Sequence, residues 1–311
     1  MKPLLLLGAI AMALSLPGPA RASCGSAFCT VNTSWDAHGA WLEPGARLDL
    51  RYEYIPQDRR KGAGSPDHDE AKTLNRNLLA TFDYTFNQDW GMNVLAPVLN
   101  RFHRHTEVAT GDVETWRFTE LGDVRVMLRR RLGSSENRDS GAIGTSGVNF
   151  GLKLPTGRTD VRNAQGERAE RTLQPGSGTT DAVLGAYYSQ HLPVRNFSWF
   201  AQGLAQLPID TDEDYRPGGR LTADLGARYD ANDRLGLLLQ LNTLHRGRDA
   251  GAQAEPQHTG GSFIFTSPGI SYAFSRELQV YGFVQLPLYR HVNGVQLVPR
   301  YALAVGLSTR F

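Results

Sequence analysis

The sequence predicts an all-β fold, a transmembrane antiparallel β-barrel of about 12 strands with short periplasmic turns and long extracellular loops. Three observations lead to it. Beyond residue 46, apolar residues recur at every second position, the period of strands with one apolar and one polar face. The links between those strands alternate between short and long. The chain then closes on an alternating segment that ends in Phe311.

Residues 1–22 read as a cleaved secretory signal. Lys2 supplies the basic start, Leu4 to Leu16 is an uncharged apolar run of 13 residues, and Ala20-Arg21-Ala22 is a cleavage site of small residues. Thirteen residues fall short of the ~20 that a spanning helix needs. Arg21 stands where a lipoprotein signal wants an aliphatic residue, which argues against lipidation of Cys24. The mature chain is expected to begin at Ser23.

Residues 23–45 form an N-terminal segment, periplasmic or plugging the pore, that holds both cysteines in Cys24-Gly-Ser-Ala-Phe-Cys29. Export places them in an oxidising compartment, so a disulfide between Cys24 and Cys29 is expected. The alternative is a haem or metal site. Against it, Thr30 follows the second cysteine where covalent haem attachment needs His, and no further Cys exists.

Residues 46–311 are the barrel. In its first half the apolar residues take even numbers: Leu48 to Tyr54, Leu78 to Phe86, Met92 to Val98, Val124 to Leu128, Val148 to Leu154, and Ala182 to Tyr188. In the second half come Phe197 to Ala201, Leu221 to Tyr229, Leu235 to Leu241, Phe263 and Phe265 leading to Ile270, Tyr272 and Phe274, Leu278 to Leu288, and Tyr301 to Phe311. Tight turns follow at 87–90, 193–196, 231–233 and 275–277. The longer links are roughly 56–75, 104–115, 155–179, 209–219, 246–261 and 290–298, with 133–147 long where a short turn is due. Sorting of loops by side is how outer-membrane barrels are built, and a soluble sandwich has no reason for it.

Aromatic residues crowd at strand ends, as in interfacial girdles. Tyr84, Phe86, Trp90, Tyr188, Trp199, Tyr272, Phe274 and Phe311 fall near the short turns; Tyr54, Phe102, Trp116, Phe118, Phe263, Tyr289 and Tyr301 fall near the long loops. A repeated Leu-Pro, at 154–155, 207–208 and 286–287, marks strand ends, since Pro cannot donate to a ladder. The last eleven residues resemble the ends of outer-membrane barrels, with Phe311 as the assembly signal. That resemblance implies recognition by the barrel-assembly machinery.

Composition narrows the function. The mean hydropathy of −0.36 argues against a helical membrane protein. Of 33 basic residues, Lys2 and Arg21 leave with the signal, so 31 face 31 acidic ones and nothing points to nucleic acid.

Three stretches carry a family likeness: Leu121-Gly-Asp-Val-Arg-Val-Met-Leu-Arg-Arg-Arg-Leu132, Gly147-Val-Asn-Phe-Gly-Leu-Lys-Leu-Pro-Thr-Gly157 and Gly176-Ser-Gly-Thr-Thr-Asp-Ala-Val-Leu-Gly185. With weaker echoes at 234–242 and 267–272, residues 120–311 resemble outer-membrane proteins associated with the meta-pathway of phenol degradation, a group related to hydrophobic-compound transporters. The resemblance implies a genomic association with aromatic catabolism and names no ligand.

With even residues of the first six strands facing lipid, the lumen receives Asp49, Arg51, Glu53, Asp83, Arg101, His103, Arg125, Arg129, Arg131 and Lys153, and Asp224, Gln240 and Asn242 in the second half. About twelve strands enclose a narrow lumen that passes only small solutes or is partly plugged. The expected function is passive uptake of small solutes, aromatic or carboxylated. The row Arg125, Arg129 and Arg131 would favour anions, with Lys153, Asp83 and Asp224 as further selectivity candidates, unless nearby acids such as Asp83 and Asp123 neutralise it. Phe200, Tyr281 and Phe283 would offer an apolar patch on the same side. Alternatively the charges only fill a closed interior.

Two other classes compete. A barrel enzyme of lipid-hydrolase type needs Ser and His with an orienting third group, yet no G-x-S-x-G occurs, and His68, His105, His258 and His291 read as solvated loop residues. A structural or adhesive barrel would use the charged loop 158–178. No catalytic residue, metal ligand or cofactor is expected; the expected partners are outer-membrane lipid, the assembly machinery and a small solute.

Overall fold

The computed structural model describes residues 31–32, 44–62, 71–107, 110–137 and 141–311; the signal segment and the Cys24–Cys29 pair lie outside them. Fourteen β segments run in chain order: β1 (Gly45–Lys61), β2 (Lys72–Thr85), β3 (Trp90–Thr106), β4 (Val113–Leu121), β5 (Arg125–Asn137), β6 (Ala142–Lys153), β7 (Asp181–Leu192), β8 (Phe197–Pro208), β9 (Arg220–Asp230), β10 (Leu235–Arg246), β11 (Gly261–Ala273), β12 (Leu278–Val292), β13 (Gln296–Pro299) and β14 (Ala302–Arg310). The first half of β3 pairs with β5 and its second half with β4, so β4 and β5 are one stave interrupted at 122–124. Likewise β13 and β14 both lie along β1. The segments therefore make twelve staves, and β1 pairs with both β2 and β14 to close the ring. The closed antiparallel barrel agrees with the sequence reading. The backbone of Phe311 exchanges hydrogen bonds of 2.9 and 3.0 Å with Ala46 at the seam.

Local chemistry sets the short turns. Asn87 Oδ1 accepts from the N–H of Asp89 and Trp90, Asn232 Oδ1 from those of Arg234 and Leu235, and Ser275 Oγ from those of Glu277 and Leu278. Such side chains mimic a backbone turn and fix the reversal within a few residues. Asn196 turns the next hairpin with φ of 48°, a left-handed conformation that Asn tolerates.

Two links differ from the sequence reading. Residues 133–147 are no long loop: β5 and β6 continue pairing past a register shift between Arg131 and Gly133, leaving only 138–141 as connection. This overhang is exposed on β5, so nothing apolar alternates there to betray a strand. Conversely, 113–121 was read partly as loop and is strand, because its inner face carries Trp116 and Phe118 while Thr115, Arg117 and Thr119 face outward. Pro287 also lies inside β12 rather than at its end, at the register shift opposite Ile264 and Phe265. Pro is tolerated at such bulges.

Side-chain direction follows the period of two. Leu50, Tyr52, Leu78, Phe82, Leu225, Leu239, Leu241 and Val305 point outward and stay exposed, whereas Asp49, Arg51, Glu53, Asp224, Gln240 and Asn242 are buried inside. Apolar-out and polar-in inverts the layout of a soluble barrel. Aromatic pairs gather at the short-turn end, with Tyr84–Phe86, Tyr188–Trp199 and Tyr272–Phe274 rings 5.1–5.2 Å apart. Trp116, Phe118, Phe263 and Phe265 do not belong to a girdle or to the outer face, since all four are buried inward.

Inward rings have a structural use that the sequence reading missed. Phe200 lies directly opposite Gly226, Phe283 opposite Gly269, Tyr281 opposite Gly306 and Tyr187 opposite Gly147. Each ring covers the bare backbone of its glycine partner, as in aromatic rescue of sheet glycines. A Cβ on Gly226 would stand 2.1 Å from Phe200 Cε1. Gly226→Ala should therefore destabilise the barrel by about 1–3 kcal/mol through overpacking. Gly203→Ala, whose Cβ would meet only the Thr222 carbonyl at 3.9 Å, should be near neutral. Urea unfolding followed by gel mobility measures both.

Candidate functional site: a cationic cavity inside the barrel

The lumen is filled unevenly. Across β9 to β12 it holds a ladder of amides and a hydroxyl that ends on one carboxylate: Asn242 donates to Asp224 at 2.8 Å and to Gln240 at 2.9 Å, Ser267 donates to Asn242 at 2.8 Å, and Gln285 reaches Ser267 at 3.3 Å. Beside that ladder, between β1 to β3 on one side and β5 to β9 on the other, the interior stays open as a cavity of about 270 Å³.

The cavity wall carries five arginines, Arg47, Arg51, Arg125, Arg129 and Arg220, against two aspartates, Asp83 and Asp224. Their bonding is unequal. Arg47 donates to Asp83 from Nε at 2.9 Å and Nη2 at 2.5 Å, and Asn93 donates to the other Asp83 oxygen at 2.6 Å. Arg51 pairs with Glu53 at 3.0 Å. Arg129 has a neutral acceptor, the Thr85 hydroxyl at 3.0 Å. The Arg125 side chain makes no ion pair or hydrogen bond among the described residues, and its Nε is buried. Five guanidinium groups against these two carboxylates, with Glu53 beside Arg51, leave the surplus charge positive.

The predicted residues separate accordingly. Arg125 and Arg129 share the inner face of β5 and line the cavity together with Asp83 and Asp224. Arg131 does not line it; at the short-turn end it contacts Asp89 at 3.4 Å. Lys153 also lies outside the cavity wall, held by Asp123 at 2.9 Å, Asp181 at 3.2 Å and the Ser177 hydroxyl. Asp123 is thus no neutraliser of the Arg row: its carboxylate accepts from Lys153, Gly157 N–H and Ser177, which turns it out of the ladder where the stave breaks. Phe200, Tyr281 and Phe283 are inward but stand over glycines, and none lines the cavity.

Sequence reasoning missed Arg47 and Arg220, although both keep the inward parity of their strands. It had no signal for Val31 and Asn32. Asn32 donates from its N–H to Gln240 at 3.0 Å and from Nδ2 to Gln202 at 2.6 Å, and accepts from Gln240 at 2.8 Å. Arg51 donates to the Val31 carbonyl at 3.1 Å, and the Val31 side chain packs with Leu238, Tyr281, Phe283 and Ala304. Both residues therefore sit within the barrel and border the cavity.

The long-loop end is laced shut on one side. Arg171 reaches Asp212 at 2.6 Å and lies over the Tyr215 ring at 4.6 Å; Tyr215 donates to Asp249 at 2.8 Å, which also receives Arg246 at 2.6 Å. Burial, then the Asp249 charge, push the Tyr215 hydroxyl pKa up, so it stays a donor at any working pH. The loop 158–178 is thus largely bonded to its neighbours rather than free.

The histidines read as solvated are partly otherwise. His105 and His291 lie in strands, and His105 stacks on Trp116 with centroids 5.3 Å apart. Among the described residues one Ser–His contact lies on the outer face, His245 Nδ1 to Ser262 Oγ at 2.9 Å, a directly opposed pair of β10 and β11. No carboxylate orients that imidazole among the described residues, so the third member of a hydrolytic set is not assembled there.

No family model matches the chain, and no curated protein matches it. Among solved structures, an outer membrane channel from Pseudomonas putida F1 aligns with a TM-score of 0.65 at 15% identity, covering 90% of this chain and all of that one. The NanC porin aligns with a TM-score of 0.47 at 10% identity over 85% of this chain and 100% of its own. The transport unit of the autotransporter AIDA-I from Escherichia coli has the same TM-score and identity over 86% and 90%. Closure on twelve staves, polar-in and apolar-out walls and the first of these likenesses define the class: a β-barrel of the outer-membrane type.

Proposed function

We propose that the chain is an outer-membrane channel for passive entry of small anionic solutes, carboxylated and aromatic ones among them. The carrying observation is the cavity wall, with five arginines to two aspartates and an Arg125 that no acid neutralises. Arg stays charged at any working pH, and a narrow lumen with low-dielectric walls focuses that field on a passing solute. The aromatic part rests on the resemblance of 121–132, 147–157 and 176–185 to the phenol meta-pathway group. The rings of Phe200, Tyr281 and Phe283 give it no support, since they stand over glycines and none lines the cavity. In this reading residues 1–22 are removed on export, lipid surrounds the apolar belt, and Phe311 addresses the assembly machinery.

Residues 23–45 act as a plug in this account, because Val31 and Asn32 occupy lumen space and replace water on Gln202 and Gln240. Asn32→Ala should loosen that hold and raise single-channel conductance severalfold without loss of folded protein, measured in planar bilayers. The Cys24–Cys29 pair, also part of this reading, should leave no reactive thiol in the unreduced, denatured chain. Loss of both cysteines should leave the barrel folded, since so small a loop removes little chain entropy.

The test of function is conductance of the refolded protein in planar bilayers with small aromatic carboxylates and neutral sugars as blockers. Small channels blocked by the carboxylates and indifferent to the sugars are expected. Absence of channels from folded protein would refute the reading.

A further inference from the structure

We propose that His105, Glu107 and Glu114 hold one divalent transition-metal ion at the long-loop end of the β3–β4 hairpin, and that zinc fits them best. The hairpin itself brings them together. His105 and Glu114 are directly opposed across the two strands, and Glu107, just past the end of β3, brings a carboxylate oxygen close to both. The turn behind them is held by Glu107 N–H to the Asp112 carbonyl at 2.8 Å and Gly111 N–H to the Glu107 carbonyl at 2.9 Å. One donor atom from each of the three side chains lies within 4.8 Å of the other two.

The donor chemistry and spacing suit zinc. His105 Nε2 and Glu114 Oε2 are 3.4 Å apart. Two ligands at ~2.0–2.1 Å on a tetrahedral ion stand about 3.4 Å from each other, so this pair already has the required spacing. Glu107 closes the third position with a change of rotamer, and water takes the fourth. One imidazole with two carboxylates is a borderline set that prefers zinc-like ions to calcium, which takes six to eight oxygen ligands.

Metal-binding imidazoles depend on what their other nitrogen does, and here that position is built. His105 Nδ1 stands 2.9 Å from His103 Nε2, and His103 Nδ1 stands 2.8 Å from Thr73 Oγ1. With Nε2 on the metal, His105 donates from Nδ1 to His103, and that bond fixes its tautomer and ring plane. Trp116 stacks on His105 at 5.3 Å, and its Nε1 donates to the Glu167 carbonyl at 3.1 Å in the 154–180 loop. An ion here would therefore fasten the hairpin tip to the loops over the mouth. None of these groups lines the cavity, so the site stands or falls apart from the channel reading.

Titration calorimetry of the full mature chain, refolded in detergent without a polyhistidine tag, tests this with zinc chloride as probe. One zinc ion per chain is expected. His105→Ala or Glu114→Gln should weaken binding by more than about tenfold, and His103→Ala, a positioning residue, by about 10–100-fold with stoichiometry kept. Heat-dependent gel mobility shows which variants fold, and Glu107→Gln at the hairpin tip decides if the in-strand ones do not. Binding that survives His105→Ala and Glu107→Gln undiminished, or calcium binding as tight as zinc, would overturn the site.

Discussion

Leu225→Arg is expected to destabilise the barrel by about 2–4 kcal/mol, while Asp224→Asn stays close to the parent. The two residues are neighbours on β9, and successive residues of a strand face opposite sides. Leu225 is 50% exposed on the outer wall between Ala201 and Leu241, so an arginine there meets hydrocarbon in the middle of the strand. Asp224 is 8% exposed on the inner wall, where Asn242 donates to it and polar neighbours would equally accept an amide. Unfolding in lipid vesicles, read by gel mobility, measures the difference. Equal tolerance at 224 and 225 would show that this wall is not lipid on one side and lumen on the other.

The second large effect concerns charge. Replacing Arg125 and Arg129 together with Gln should lower the anion-to-cation permeability ratio severalfold while the barrel stays folded. Arg125 has no acid against it and Arg129 only the Thr85 hydroxyl, so their removal unmasks no buried carboxylate. Lys153→Gln is the contrasting change. It strips the cation from between Asp123 and Asp181, outside the cavity, and should disturb folding more than selectivity. Leaving a buried charge without its partner costs about 3–5 kcal/mol, an upper figure here because Asp123 keeps the N–H groups of Gly157 and Ser177 and Asp181 keeps the Thr179 hydroxyl. Reversal potentials of the two variants, compared with their unfolding midpoints, separate the effects.

The barrel was legible because a period of two persists wherever a strand has lipid on one side and protein on the other. Where that contrast ends, so does the signal. The Gly133–Asn137 overhang has no apolar face, and Val113–Leu121 carries its apolar residues inward. Phe263 and Phe265 were assigned outward because aromatic residues at a strand end look alike on either wall. Their odd numbers set them against the even Ile270, Tyr272 and Phe274, and because alternation along β11 runs unbroken, parity puts both rings inward. The Arg row was half legible. Parity placed Arg125, Arg129 and Arg131 on one face, but how far up the wall the open space extends depends on which neighbours fill it. Parity alone put Asp123 with the Arg row, but the stave breaks at 122–124, and there its carboxylate meets Lys153 directly and Ser177 of the returning loop as well. Asn32 gave no sign at all, because its partners lie some 170 and 208 positions away.

The most direct measurement of the central claim is the reversal potential of the unmodified protein in a planar bilayer under a potassium chloride gradient. A potential of the sign set by chloride, shrinking as the salt on both sides is raised and the arginine field is screened, is the result that a conducting cationic cavity requires. A potential set by potassium, or none at all from an open channel, would contradict it.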